Sequence, residues 1–234
     1  MTFFEGIGMH AGYGASMILN GCSISVEKGQ IAVIVGPNGA GKSTAMKALF
    51  GMLPLREGSV FSDGRDITQL RPEQRVLLGM GYVPQTNNVF PSMTVLENLE
   101  MGGFVRCDDL SQTISEIFEL FPILKTKQHQ AAGELSGGQR QQVAVARAMM
   151  TKPNILMLDE PTAGVSPIVM DELFDRIIDI ADTGVAILMV EQNAKQALQI
   201  ADMGYVLVQG ENKFKDAGAA LLNNPEVRQA FLGG

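Results

Sequence analysis

Apolar and polar positions alternate along this chain in three ways, and each predicts a different kind of structure. Unbroken apolar runs at Ile31–Val35, Met80–Val83, Ile155–Leu158, Val185–Val190 and Tyr205–Val208 predict strands buried on both faces. Helix-favouring stretches alternate with them: Ala45–Phe50, a segment opened by Ser166-Pro167 and running to about Ala181, and Ala194–Ile200. That order predicts a parallel sheet covered on both sides, beginning at Ile31. Ahead of Ile31 the pattern changes. Ser23–Val26 alternates polar and apolar side chains, while Gly12, Gly14, Gly21 and Gly29 break residues 2–30 into short strand-like pieces. Gly58–Phe61 and the Asp63-Gly64 turn add to this, so a small antiparallel β layer is expected beside the core. Arg71-Pro72-Glu73 opens a short helix with proline in its first turn.

The third pattern runs from Asn88 to about Thr151, where strand signals stop. Three helical segments with capping residues take over: Val95–Met101 behind Ser92 and Thr94, then Ser111–Phe121, then Ser136–Met150. The expected fold is therefore α/β, with a mostly parallel core sheet, an N-terminal antiparallel β layer and an inserted helical lobe at about 88–152. Both ends of the insert return to the same sheet, so residues 1–234 are expected to form one folding unit.

Composition narrows the classes of function. A 46% hydrophobic, 18% charged chain of 234 residues can build a real core. The net charge of −7 argues against a nucleic-acid partner, which demands a basic face. Cys22 and Cys107 lie far apart in sequence and read as free thiols of a reducing cytosol. The opening residues have no basic segment of the kind that starts a secretory leader, and no apolar run approaches the ~20 residues of a membrane helix. A soluble chain is expected. Most of the fourteen methionines sit in apolar runs and read as core filler.

The chemistry gathers after the predicted strands. Gly36, Pro37, Asn38, Gly39, Ala40, Gly41, Lys42, Ser43 and Thr44 stand between the Ile31–Val35 strand and a helix, which is the setting a phosphate-binding loop requires. Its glycines let backbone N–H groups surround anionic oxygens, and the helix points its positive end at the same place. Lys42 is expected to reach the outer phosphates of a nucleoside triphosphate, and Ser43 to ligate Mg²⁺. Asp159 closes its strand opposite this loop and can hold Mg²⁺ through water, while Glu160 can orient or deprotonate an attacking water. Gln85 offers an amide oxygen to the same ion and stands at the junction with the helical lobe. Gln192 follows the next apolar strand. In parallel sheets ligands bind beyond the carboxyl ends of the strands, and this convergence predicts a single site.

Other candidates carry less. Tyr13, between glycines, can stack on a base or pack on the β layer. Leu135, Ser136, Gly137, Gly138 and Gln139 open a helix, with Ser136 as its N-cap and glycines that permit close approach of an anion. His10 and His129 have no ligand spacing around them, and the acids Glu116, Glu119, Asp171, Glu172 and Asp175 read as solvated helix faces. Phe90, Met101, Phe104 and Val105 either line a groove for a partner helix or are buried within the lobe.

The Tyr13 loop, GPNGAGKST, Gln85 after Tyr-Val-Pro, LSGGQ and Ile-Leu-Met-Leu-Asp-Glu-Pro occur in the order found in ATP-binding-cassette (ABC) ATPases, which the chain resembles over nearly its whole length. The resemblance implies a phosphate-loop NTPase fold and a head-to-tail pair of cassettes. ATP would lie between the phosphate loop of one and the LSGGQ of the other, with Tyr13 on adenine. Gln192 sits where most of that family has a histidine contacting the γ-phosphate and the attacking water, and Ala163-Gly-Val-Ser166-Pro replaces an aspartate-bearing loop. Both departures, and the ending Leu221 to Gly234, resemble the ATPase subunits of branched-chain amino acid importers. The resemblance then implies two different ATPase subunits, two membrane permeases and a periplasmic binding protein, with this chain on the cytoplasmic face of the membrane. A urea or short-amide importer, a soluble ABC ATPase outside transport, and a regulatory subunit that hardly hydrolyses ATP are the alternatives.

Overall fold

The computed structural model describes residues 2–232; Met1 and the closing Gly233 and Gly234 lie outside the described residues. In chain order the elements are strands β1 (Phe4–Tyr13), β2 (Ser16–Val26) and β3 (Ile31–Val35), then helix α1 (Lys42–Phe50). Next come β4 (Glu57–Ser62), β5 (Arg65–Asp66), α2 (Pro72–Leu77) and β6 (Met80–Val83). Helices α3 (Val95–Gly102), α4 (Ser111–Leu120), α5 (Pro122–Thr126) and α6 (Gly137–Met149) follow, with a 3₁₀ turn at Ala132–Glu134. The chain then returns through β7 (Ile155–Asp159), α7 (Pro167–Asp182), β8 (Ala186–Val190), α8 (Ala194–Ile200) and β9 (Met203–Val208). It finishes with β10 (Glu211–Asp216), α9 (Gly218–Asn223), α10 (Pro225–Val227) and a π turn at Arg228–Leu232.

Two sheets result. The larger has the order β10-β9-β3-β8-β7-β6, with β3 and β6 to β9 parallel and β10 antiparallel at the edge. The smaller is an antiparallel layer, β2-β1-β4-β5. Side chains alternate across the larger sheet, as the two-residue repeat of a strand dictates. Val33, Leu158 and Met189 belong to one core with Val143 of α6 and Ile177 of α7. Ile34, Met157 and Leu188 belong to the other, with Leu49 of α1 and Leu19 and Ile24 of β2. The first core continues without a break into Val95, Leu99, Ile117 and Phe121, so the helices between β6 and β7 share apolar packing with the sheet.

Several expectations need correction. Gly12 and Gly21 do not interrupt strands; they lie inside β1 and β2, whose pairing slips register between Ala11 and Gly12 and at two earlier points. A Cβ at Gly12 would meet the Ser16 carbonyl oxygen at 1.9 Å, so close approach of two backbones requires glycine there. Ser166 occupies the N-cap position of α7, yet its side chain makes no capping bond; Pro167 in the first turn sets that helix start instead. Thr94 and Ser136 do cap, each in a reciprocal box with Glu97 and Gln139. Strand β10 and helices α5, α9 and α10 went unforeseen. Cys22 is buried, which pushes its thiol up to about 12, whereas Cys107 is exposed. Among the described residues no helix is long and apolar enough to cross a membrane.

Candidate nucleotide-binding site

The site sits beyond the carboxyl ends of β3, β6, β7 and β8. The loop after β3 is possible because three of its residues are glycines. Gly36, Gly39 and Gly41 all have positive φ, and a Cβ at Gly36 would stand 2.2 Å from the Leu207 carbonyl oxygen. Gly41 occupies the N-cap of α1 and has no side chain with which to cap it, so the first amides of the helix remain for a ligand. Lys42 is only 6% exposed and donates to the carbonyl oxygens of Gly36 at 2.9 Å and Pro37 at 3.2 Å. Burial lowers its pKa, and Glu160 and Asp159 act in the opposite direction.

The carboxylate of Asp159, last residue of β7, receives two hydroxyls. Ser43 Oγ donates to Oδ1 at 3.0 Å, and Tyr82 of β6 donates to Oδ2 at 3.3 Å. Burial first, then the Asp159 charge, pushes the Tyr82 phenol upward, so it stays a donor at neutral pH. Glu160 follows at φ +50°, a backbone conformation unusual for a side chain of its size, and its amide is held by the Val190 carbonyl at 2.9 Å. Gln85 Nε2 donates to Glu160 Oε2 at 2.7 Å, joining the loop after β6 to the one after β7. Gln192, two residues past β8, reaches Asn38 of the phosphate loop only through a long 3.5 Å contact. The four strand ends thus bring Lys42, Ser43, Gln85, Asp159, Glu160 and Gln192 together, as their spacing predicts.

Tyr13 ends β1, is half exposed, and lines a cleft of about 280 Å³ with Ile18, the loop from Asn38 to Thr44, and Glu160. Its ring is presented to that cleft rather than packed away in the β layer. A second cleft of about 300 Å³ lies between the turns after β7 and β8, lined by Glu160, Thr162, Gly164, Glu191, Gln192 and Asn193 among others. Residues Leu135 to Gln139 line neither cleft. They start α6, where Gly137 faces the Gly164 carbonyl and Gly138 faces Val169 of α7. Within one chain, then, this motif stands apart from the phosphate loop's cleft.

Phe90, Met101, Phe104 and Val105 are not buried in the lobe; Phe104 is 80% exposed and the others 41–48%. Beside them a cleft of about 410 Å³ is lined by Phe50, Met52, Val76, Tyr82, Gly102 and Arg147 among others, between α1, β6 and α6. Arg147 lies over the Phe90 ring at 4.9 Å from its centroid. The acids singled out on helix faces, Glu116, Glu119, Asp171, Glu172 and Asp175, are all exposed. Among the described residues no group of three His, Cys, Asp or Glu side chains could hold a metal ion. Glu191 escapes sequence reasoning altogether. It is 2% exposed, and nothing in Val190-Glu-Gln-Asn193 signals burial of an acid.

Comparison with known proteins follows the same lines. The family profile described as ABC transporter matches residues 19–163. The chain belongs to the ABC transporter family. This ABC ATPase is 43% identical over 223 residues to the high-affinity branched-chain amino acid transport ATP-binding protein BraG of Pseudomonas aeruginosa, covering 95% of this chain and 96% of that one. It is also 43% identical over 175 residues to the probable branched-chain amino acid transport ATP-binding protein LivF of Archaeoglobus fulgidus, covering 74% of each. A nucleotide-free ATP-binding cassette from an ABC transporter superposes with a TM-score of 0.89 at 30% identity, covering all of both chains. The ABC cassette fold expected from the motifs is the fold observed, and the activity of the chain is ATP hydrolysis.

Proposed function

We propose that this chain is the ATPase subunit of an importer for branched-chain amino acids, turning ATP binding and hydrolysis into closing and opening of a pair of cassettes beneath two permeases. The observation that carries the cargo is the near end-to-end match to a branched-chain amino acid transport subunit. Gln192 and the Ala163-to-Pro167 loop support the same reading. Residues 88–152 form its helical lobe, part of one folding unit with the sheet.

At the site, Lys42 exchanges the Gly36 and Pro37 carbonyls for the outer phosphates of ATP, and Tyr13 offers its ring to the adenine. The donors fit Mg²⁺. Ser43, Asp159 and Gln85 supply a hydroxyl, a carboxylate and an amide oxygen, hard ligands that include one full charge and leave positions for phosphate and water. Bound there, the ion supplies charge neutralisation of the phosphates. Glu160 accepts a proton from the attacking water, and its bond to Gln85 is the link through which phosphate occupancy reaches the lobe. Gln192 donates to a phosphate oxygen or to that water. The Leu135-to-Gln139 segment serves the ATP held by the facing cassette, consistent with its absence from the lining of this chain's phosphate-loop cleft.

Two measurements test the proposal. Lys42→Ala removes a charged hydrogen bond worth about 1.5–3 kcal/mol, so ATP affinity should fall about 10- to 100-fold. Reconstituted with its permeases and binding protein, the complex should take up labelled leucine and valine in an ATP-dependent manner; uptake of urea instead would overturn the cargo while leaving the ATPase chemistry intact.

A further inference from the structure

We propose that Glu191 is a positioning residue for hydrolysis, holding Glu160 and Gln192 in register across the tops of β7 and β8; the inference rests on the roles given to those two residues above. Glu191 is a carboxylate removed from water, with no ion pair among the described residues and with another acid, Glu160, as its charged neighbour. Burying such a group is costly unless hydrogen bonds compensate. Three bonds offset part of that cost, while burial still holds the carboxyl above its ordinary pKa. Oε1 accepts from the Thr162 amide at 3.1 Å and from the Thr162 hydroxyl at 2.8 Å, and Oε2 accepts from the Gln192 amide at 3.2 Å.

The geometry explains what the carboxylate adds. Thr162 is itself 4% exposed and follows Glu160 by two residues, while Glu191 precedes Gln192 by one. One side chain therefore ties the turn that presents Glu160 to the turn that presents Gln192. Backbone bonds extend the tie: Glu160 donates to Val190 at 2.9 Å, and Glu191 donates to Ile34 of β3 at 3.2 Å, next to the start of the phosphate loop. Glu160 sits at φ +50°, and such a residue persists only where its surroundings over-determine it. An apolar pair of the same shape would fill this space at lower cost; only a carboxylate can direct three donors from two loops at once.

The test measures single-turnover ATP hydrolysis and equilibrium ATP binding in the assembled transporter, with the facing subunit's site silenced. Glu191→Gln keeps an oxygen for Thr162 but turns an amide N–H₂ toward the Gln192 N–H, breaking one end of the tie. The hydrolysis rate should fall about 10- to 100-fold, the loss that an ångström-scale misplacement produces. ATP affinity should stay within about twofold, because binding does not depend on the register. Thr162→Val should behave alike, and Thr162→Ser, which keeps the hydroxyl, should restore the rate. An unchanged rate in Glu191→Gln, a parallel loss of rate and affinity, or a Thr162→Ser variant as slow as Thr162→Val overturns the proposal. If Glu191→Gln does not fold, the valine–serine comparison at Thr162 decides alone. Hydrolysis that survives Glu160→Gln would instead refute the role of Glu160, a result separate from all of these.

Discussion

The Gln192 amide can donate a hydrogen bond to a phosphate oxygen or a water, but near neutral pH it neither takes up nor releases a proton and carries no positive charge. Little holds its side chain: one 3.5 Å contact to Asn38, against the short bond that Gln85 makes to Glu160. The backbone of Gln192 is fixed through Glu191, while its side chain is free to meet a ligand. We predict from this that the site built on this chain's phosphate loop turns over more slowly than one closed by a histidine. Gln192→His should raise single-turnover hydrolysis at this site by up to about tenfold, a small part of the 10²–10⁴ that a positioned acid–base group can contribute. An unchanged rate would show that the glutamine is not the limitation.

At the scale of elements, the two glycines that open α6 look alike in sequence and do different work. Gly138 is buried, and a Cβ there would lie 2.0 Å from Val169 Cγ1 on α7; Gly137 is exposed, with nothing nearer than the Gly164 oxygen at 3.9 Å. Gly138→Ala should therefore cost about 1–3 kcal/mol through overpacking, lowering Tm by about 2–4 °C for each kcal/mol in a chain of this size. Val169→Ala in the same chain should recover most of it, since the two positions touch. Gly137→Ala should leave Tm unchanged and, if the proposed pairing holds, lower hydrolysis in the paired cassettes. The contrast marks what sequence could reveal. The parallel strands were legible because both faces are apolar, and Asp159, Glu160, Gln85 and Gln192 were legible because each follows such a strand. Strand β10 was not: Glu-Asn-Lys-Phe-Lys-Asp is an edge, exposed or half-buried throughout, and has no apolar repeat to detect. Glu191 was not, because the hydroxyl that satisfies its buried carboxyl belongs to Thr162, in a turn 29 residues away.

Taken whole, the molecule separates charge from adhesion. The chain carries a net charge of −7, yet the lobe between β6 and β7 exposes Phe104, Val105, Met101 and Phe90 beside the apolar cleft bordered by Phe50, Met52 and Tyr82. Apolar side chains gathered beside a cleft mark a surface that another protein covers. Tyr82 lines that cleft and also donates to Asp159, so an occupant there would lie one side chain from the site of hydrolysis. An amphipathic helix from a permease, laid into the cleft by its apolar face, meets these conditions. Phe104→Asp then separates docking from catalysis. An exposed position contributes within about 0.5 kcal/mol to stability, so Tm and ATP affinity should hold. An aromatic anchor of an interface is worth about 2 kcal/mol or more, so permease affinity should drop by roughly 30-fold or more, and ATP-driven uptake with it. Binding of Phe104→Asp to detergent-solubilised permeases, measured beside its nucleotide affinity, checks this directly: equal affinity for the permeases would move the docking surface elsewhere on the cassette.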